Sequence, residues 1–400
     1  MRRFLAALAC AGIMLAQRSP VDDAWDLAAK GSRDQAIHLL EGFIKSNPRS
    51  ADALLLLGSL LMEKGQRAES IATLTEGVRL QPNSADAQNA LGEAYSNFGN
   101  LKAARTAFEK AVALKPGFAV AQVNLGLVLV EAGELSAGAP HLDRAIQIFG
   151  RAPDAAYPHY LRAKIYAAEN NAQKAIAELN QAVSLRPDFA EAWSDLGQAR
   201  KNILDDAGAL AAEKRAVELN PGDAIAQYRL GAEYLRQDQP QRAVDPLEQA
   251  YRLNPEDQST LNALHTALRL NGKTDEANSV KQKLTDLLRK RDQMSANALK
   301  AVKLNNEGAL LEKAGDLRGA LGKYGQALDL YPSHVPIRVN YAVALLRMGQ
   351  WTEGLNQLHQ ALERDPGNAK IQAALDDALK QAPPASVPRW DDRDTARADH

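Results

Sequence analysis

The sequence is poor in the residues from which most reactive sites are built. It has one cysteine, Cys10, in 400 residues, so neither an internal disulfide nor a thiolate cluster for a metal can form. Aromatic residues make up only 5 % of the chain, and no β-branched alternating run of strand length occurs. With alanine and leucine abundant, that leaves the helix as the regular structure. Charge of neither sign prevails, the formal net charge being −1, so no basic face for phosphates and no acidic solvating tail is indicated, and nucleic acid is not expected among the partners. No apolar run reaches the length of a bilayer span, so no transmembrane segment is expected. The histidines, His38, His141, His159, His265, His334, His359 and His400, form no i, i+4 pair and no HExxH. GxxxxGK[ST], GxSxG and GxGxxG are likewise missing, and no cofactor, metal site or catalytic centre is expected.

What is present begins with "MRRFLAALACAGIMLAQRSP". Arg2 and Arg3 precede an apolar run from Phe4 to Ala16, the charged and hydrophobic regions of a secretory signal. Residues 1–16 are read as a signal peptide cleaved after Ala16, which places the mature chain outside the cytoplasm, periplasmic or extracellular in a bacterium. Cys10 as a lipoprotein acceptor ranks below simple cleavage, because Ala7 is not the aliphatic residue such a site needs and little apolar sequence precedes it.

A ruler then runs along the chain. Pro48, Pro82 and Pro116, then Pro187, Pro221 and Pro255, then Pro332 and Pro366 stand 34 residues apart within each group. Counted on that period, position 8 holds Gly58, Gly92, Gly126, Gly197, Gly231 and Gly308. Position 20 holds Ala104, Ala175, Ala209, Ala243, Ala277 and Ala320, and position 27 holds Ala111, Ala145, Ala182, Ala216, Ala250, Ala327 and Ala361. The fullest unit carries Leu91, Gly92, Tyr95, Gly99, Ala104, Phe108, Ala111 and Pro116.

In these residues the chain resembles the tetratricopeptide repeat family from about residue 17 to 381. The resemblance implies an all-α fold, a right-handed α-solenoid of about ten helix-turn-helix units. It also explains glycines within helices, where Gly costs about 1 kcal/mol relative to Ala. Helix axes pack about 8–10 Å apart according to the side chains between them, so small residues at positions 8, 20 and 27 permit close crossings. Leu91, Tyr95 and Phe108 are expected to fill the space beside one such crossing.

Departures from the ruler set the expected boundaries. A three-residue insertion near Pro153 should bulge the connection between repeats 4 and 5. In repeat 8 His265 takes the glycine slot, and from Lys273 to Glu307 there is neither glycine nor proline, so its second helix is expected to run on. Thr274 is expected to cap that helix and Asp275 and Glu276 to lie in its first turn, the helix continuing toward Lys313; the alternative is a break near Arg291 with Ser295 or Asn297 capping a fresh helix. The expected organisation is a first array at 17–291 (repeats 1–8), a helical linker at 292–300, a second array with a capping helix at 301–381 (repeats 9–10), and a disordered tail at 382–400.

On a helical wheel, positions 4, 7, 8 and 11 of each first helix form the core face, and 2, 5, 9, 12 and 13 lie opposite. The resemblance implies that this second set lines a concave groove for partner segments. Repeats 2–4 place Asp52, Glu63, Asp86, Asn89, Glu93 and Glu131 there. Repeats 5–8 place Tyr157, Tyr160, Lys164, Gln198, Lys201, Asn202, Tyr228, Arg236, Asn262 and Arg269 there, a basic and aromatic lining interrupted by Glu191. The alternative is that these are ordinary solvated helix residues. Neither the carboxylate clamp nor the asparagine ladder known in the family is reproduced.

The sequence therefore reads as a non-catalytic protein-interaction scaffold, its groove taking protein or peptide partners with acidic segments. The alternative is a substrate-recruiting, non-catalytic subunit of a bacterial envelope enzyme or glycosyl-transfer system. The oligomeric state is not encoded in any of these features. Fractionation checks the export expectation: the mature chain should appear outside the cytoplasm without Met1, whereas soluble cytosolic protein with Met1 intact would refute it, and acyl-modified Cys10 would establish the lipoprotein reading instead.

Overall fold

The computed structural model describes residues 19–388 and Trp390. The signal-like segment with Cys10 lies outside the described residues, as do position 389 and residues 391–400 of the tail. Among the described residues every regular element is helical. The chain divides into two compact units at the Thr274/Asp275 junction.

The first unit is a succession of helix hairpins: α1 (Pro20–Ala29) and α2 (Arg33–Ser46), α3 (Ala51–Glu63) and α4 (Arg67–Leu80), α5 (Ala85–Asn97) and α6 (Leu101–Leu114), α7 (Ala119–Glu131) and α8 (Leu135–Phe149). A 3-10 turn at Pro153–Ala155 absorbs the insertion. There follow α9 (Ala156–Ala168) and α10 (Ala172–Leu185), α11 (Ala190–Asn202) and α12 (Asp206–Leu219), α13 (Ala224–Arg236) and α14 (Pro240–Leu253), then α15 (Gln258–Leu270). Each helix packs on the next in sequence, and successive first helices also touch, α11 on α13 for example. That is how short hairpins share one continuous core.

The crossing within each hairpin shows why the glycines are there. A Cβ added to Gly92 would stand 2.5 Å from Phe108 Cε1, one on Gly58 2.5 Å from Leu74 Cγ, and one on Gly126 2.6 Å from Leu142 Cδ2. The second helix thus presses a large side chain directly onto the glycine backbone of the first. Leu74, Phe108, Leu142 and Leu247, the residues that do so, are almost wholly buried, each contributing about 1.5–3 kcal/mol of burial. At the tip of the hairpins a left-handed residue is needed, and Gly99 and Gly133 supply it with φ of 76° and 78°. In repeats 5–7 the same place is taken by Asn170, Leu204 and Asp238 at φ of 56°, 63° and 55°. A leucine there is strained by about 1 kcal/mol or more, and Leu204 is also 82 % exposed.

The second unit consists of α16 (Thr274–Lys313), α17 (Leu317–Leu330), α18 (Val335–Arg347), α19 (Trp351–Arg364) and α20 (Ala369–Gln381). Helix α16 is a single helix of 40 residues, with no turn at 290–298, so residues 292–300 are continuous with what precedes and follows them. Thr274 is its first helical residue rather than the residue before it, and its hydroxyl lies 3.5 Å from the Gly272 carbonyl. None of the side chains between Val280 and Ala301 is buried. Near its end Gly308 receives Tyr324 of α17, whose hydroxyl donates to Glu312 at 2.8 Å. The tail was expected to be disordered from residue 382. Its described part lies against α19: Thr352 donates to the Ser386 carbonyl at 3.0 Å, Trp390 Nε1 donates to Asn356 at 2.9 Å, and the Trp390 ring stacks on His359 at 4.4 Å.

If the glycine crossing sets the hairpin, Gly231→Val must drive a side chain into Leu247 on one side and the Ala243 carbonyl, 3.2 Å from a Cβ, on the other. It should destabilise the first unit by about 1–3 kcal/mol. Gly42→Ala, in a helix interior with nothing within 4 Å, should instead stabilise by up to about 1 kcal/mol. Urea unfolding of both variants checks the opposite signs.

Candidate partner-binding groove

The expected groove residues stand on four first helices: Tyr157, Tyr160 and Lys164 on α9, Gln198, Lys201 and Asn202 on α11, Tyr228 and Arg236 on α13, Asn262 and Arg269 on α15. Two of these helices start on strong caps. Asp223 accepts from the Ile225 and Ala226 amides at 2.8 and 3.2 Å, and Asp257 accepts from the Thr260 amide at 2.6 Å. Each cap is worth about 1 kcal/mol.

The structure gathers part of this set. A cleft of about 600 Å³ is walled by Lys164, Gln198 and Asn202, with Asp195 beside them and Ala163 and Ala199 making room at its base. A smaller cavity of about 180 Å³ is bordered by Gln198, Lys201 and Tyr228. Gln198 borders both, and its side chain donates to Asn202 at 3.0 Å. Asn262 and Arg269 line neither. The Asn262 amide donates to the Gln258 carbonyl of its own helix at 2.9 Å, and Arg269 is exposed.

The tyrosines of α9 serve packing as much as contact. Tyr157 and Tyr160 stack at 6.1 Å, and Tyr160 lies 4.9 Å from Phe189. Burial, assisted by the Asp195 carboxylate, pushes the Tyr160 phenol well above its ordinary range. Lys164 Nζ sits 5.5 Å from the Tyr160 ring centroid, a cation–π contact that steadies the ammonium while leaving its hydrogens for a ligand.

Charge is not distributed as the wheel suggested. Arg236 is held by Asp206 at 2.5 Å and by Glu233 at 2.5 Å, and Gln237 also donates to Glu233 at 2.8 Å. Its guanidinium braces α13 against α12 and neutralises a carboxylate that is only 3 % exposed. Arg229 donates to Ser194 at 2.8 Å and to Asp195 at 3.3 Å. Ser194, Asp195, Asp206, Glu213, Arg229 and Glu233 thus complete the site, and none was assigned to the groove from the sequence. Ser194 stands at position 5 of the groove set, Asp195 and Arg229 at position 6 and Glu233 at position 10 flank the two faces, and Asp206 and Glu213 belong to a second helix, to which the wheel of first helices does not extend. Among the described residues no three His, Cys, Asp or Glu side chains are grouped to hold a metal ion, and no described helix is long and apolar enough to cross a membrane.

Family comparison accounts for the hairpins. Three tetratricopeptide repeat models match the chain, one at residues 27–94 and 311–378, one at 89–156 and one at 163–203, together more than half of it. The chain belongs to the tetratricopeptide repeat family. No curated protein matches it. Solved structures that resemble this tetratricopeptide repeat protein include MamA, with 26 % identity over 42 % of this chain and 96 % of that one at a TM-score of 0.38. PilF of Pseudomonas aeruginosa shows 17 % identity over 53 % of this chain and 95 % of that one, at 0.49. A tetratricopeptide repeat protein of Parabacteroides merdae shows 15 % identity over 62 % and 97 %, at 0.48. Membership carries a general function, that of a protein-interaction scaffold.

One residue breaks the repeat rule inside the core. Glu213 on α12 occupies the place held by Leu74, Phe108, Leu142 and Leu247 in other repeats, and presses on Gly197 as they press on their glycines. It is 3 % exposed, and burial pushes its carboxyl up to about 8 against the opposing pull of Arg229 and Ser194. The folded chain therefore keeps this proton over a range in which the unfolded chain, with an ordinary carboxyl, has lost it. Stability at this site falls as pH rises from about 4.5 toward 8 and levels off above. Glu213→Leu, which restores the apolar contact, should stabilise the first unit by about 1–3 kcal/mol near pH 5 and by more near pH 8. Thermal unfolding at the two pH values checks both sign and slope.

Proposed function

We propose that this protein is an exported scaffold whose groove in repeats 5–8 binds an acidic, extended or helical segment of a partner protein. The observation that carries the reading is the set of cations left over after internal pairing. Arg229 and Arg236 are neutralised by carboxylates of the array. Lys164, Lys201 and Arg269 are exposed and have no ion-pair partner among the described residues. They recur on one face of three first helices, so stacking aligns them into a track along which a chain can lie. Gln198, Asn202 and Tyr228 supply hydrogen bonds between the charges, while Tyr157, Tyr160 and Asn262 shape the wall. Export rests on Arg2, Arg3 and the apolar run that follows them.

Exposed charges are screened beyond about 8 Å at physiological ionic strength, so these contacts must be direct. Arg236 makes a poor probe because its removal strands Glu233. The paired reversal Lys164→Glu with Lys201→Glu touches no described ion pair and should leave helicity and melting temperature unchanged. A charge-assisted contact is worth about 1.5–3 kcal/mol, so partner capture from the envelope fraction should fall at least about tenfold and should weaken with salt in the parent protein. Unchanged capture by the folded double variant would place the binding surface elsewhere.

A further inference from the structure

The cavity of about 180 Å³ lies where repeat 6 departs from its neighbours. Its wall includes Gly197 on α11, Glu213 on α12 and Glu233 on α13, so it opens beside the very crossing that other repeats fill with leucine or phenylalanine. A Cβ on Gly197 would stand 2.6 Å from Glu213 Oε1, which shows the carboxyl seated as those apolar side chains are. Yet among the described residues Glu213 accepts a single hydrogen bond, a long one of 3.4 Å from Ser194. A carboxyl 3 % exposed with so little holding it, at the edge of a cavity, has room to take a further partner there.

The charges around it decide which partner fits. From α11 come Asp195 and Lys201, and from α13 come Arg229 and Glu233. Arg229 is engaged by Asp195 and Ser194, and Glu233 by Arg236 and Gln237. Lys201 alone is without an ion-pair partner among the described residues, so it is the one charged group of the wall not already engaged within the array. A cation entering would meet Lys201. An anion would meet Lys201, the Gln198 amide and the Tyr228 hydroxyl along the wall. The volume equals about six waters at liquid density, room for a carboxylate and its first methylenes but not for a nucleotide.

We propose that this cavity binds one carboxylate group of the groove's ligand, with Glu213 in its acid form donating a hydrogen bond to it and Lys201 supplying the charge. The proposal rests on the reading of the groove as a site for acidic segments, and it adds a proton to that reading. Burial holds the Glu213 carboxyl protonated up to about pH 8, and a second carboxylate beside it disfavours ionisation further. Binding is therefore coupled to proton uptake near and above that pH, and affinity falls about tenfold between pH 7 and 9 as the acid form is lost.

The test is calorimetric titration of the full chain with an end-blocked hexaglutamate peptide, at pH 7 and 8.5 in buffers of different ionisation enthalpy, which counts protons. The parent protein should take up a proton on binding at pH 8.5. Glu213→Gln, which keeps a donor but cannot ionise, should bind at pH 7 within about threefold of the parent and show neither uptake nor loss of affinity at pH 8.5. Succinate as the titrant distinguishes the source, since uptake with succinate alone supports a free small carboxylate as the occupant. Peptide binding without uptake, or with uptake that survives Glu213→Gln, would overturn the role of Glu213 while leaving the groove reading intact. Proton release on binding an end-blocked hexalysine peptide would overturn the carboxylate assignment. Absence of uptake with both hexaglutamate and succinate would overturn the proposal, and insensitivity of capture to Lys164→Glu with Lys201→Glu would separately overturn the groove reading.

Discussion

The crossing of two helices on a glycine is the contact from which the rest of the molecule follows. At Gly58, Gly92 and Gly126 the second helix of a hairpin presses Leu74, Phe108 and Leu142 onto bare backbone, so the axes come closer than any side chain at that place would allow. The closeness fixes how one hairpin presents its faces to the next, and hence which residues of successive first helices come into line. The face proposed as the groove is the far side of the same geometry. Its lining is free to vary because the contact that builds it lies on the opposite face of each helix.

Repeat 6 shows what happens when that contact is altered without being lost. Glu213 keeps the seat on Gly197 but brings a carboxyl where apolar volume belongs. The array answers with Ser194, Arg229, Asp195, Glu233 and Arg236, polar groups concentrated across α11, α12 and α13. Removing one member of such a set costs more than the pair is worth, because it leaves its partner buried and unpaired. That asymmetry explains why Arg236, which the wheel assigned to the groove, is better understood as a brace, and why the proposed binding charge rests on Lys164, Lys201 and Arg269 instead.

The repeat was legible from the sequence because its signals are local and periodic: prolines 34 residues apart, glycines at position 8 and alanines at 20 and 27. The unbroken helix Thr274–Lys313 was legible too, from a stretch with no glycine or proline. The pairings of the groove were not. Arg229 with Ser194 is a contact between residues 35 apart and Arg236 with Asp206 one between residues on adjacent helices of successive repeats, and both depend on how repeats stack. A signal for Glu213 did exist, since counting the apolar column Leu40, Leu74, Phe108, Leu142, Leu179 forward reaches a glutamate. Periodicity directs the eye to what repeats, and the residue that matters here is the one that does not.

In a repeat array stability is close to a sum of unit and nearest-neighbour terms, so a local defect weakens its own neighbourhood and little else. The polar crossing of repeat 6 and the left-handed Leu204 at the tip of the same hairpin both lower the stability of one place in the first unit. Local opening is then cheapest between α11 and α13, beside the cavity. A carboxylate bound beside Glu213 as proposed would act on this weakness directly: it would add its binding energy where the array is least stable and stiffen the hairpin it touches. On the proposed reading of the groove, the glutamate that costs the fold an apolar contact is also the group through which the array responds to a carboxylate, and leucine there would give a sturdier array without that response.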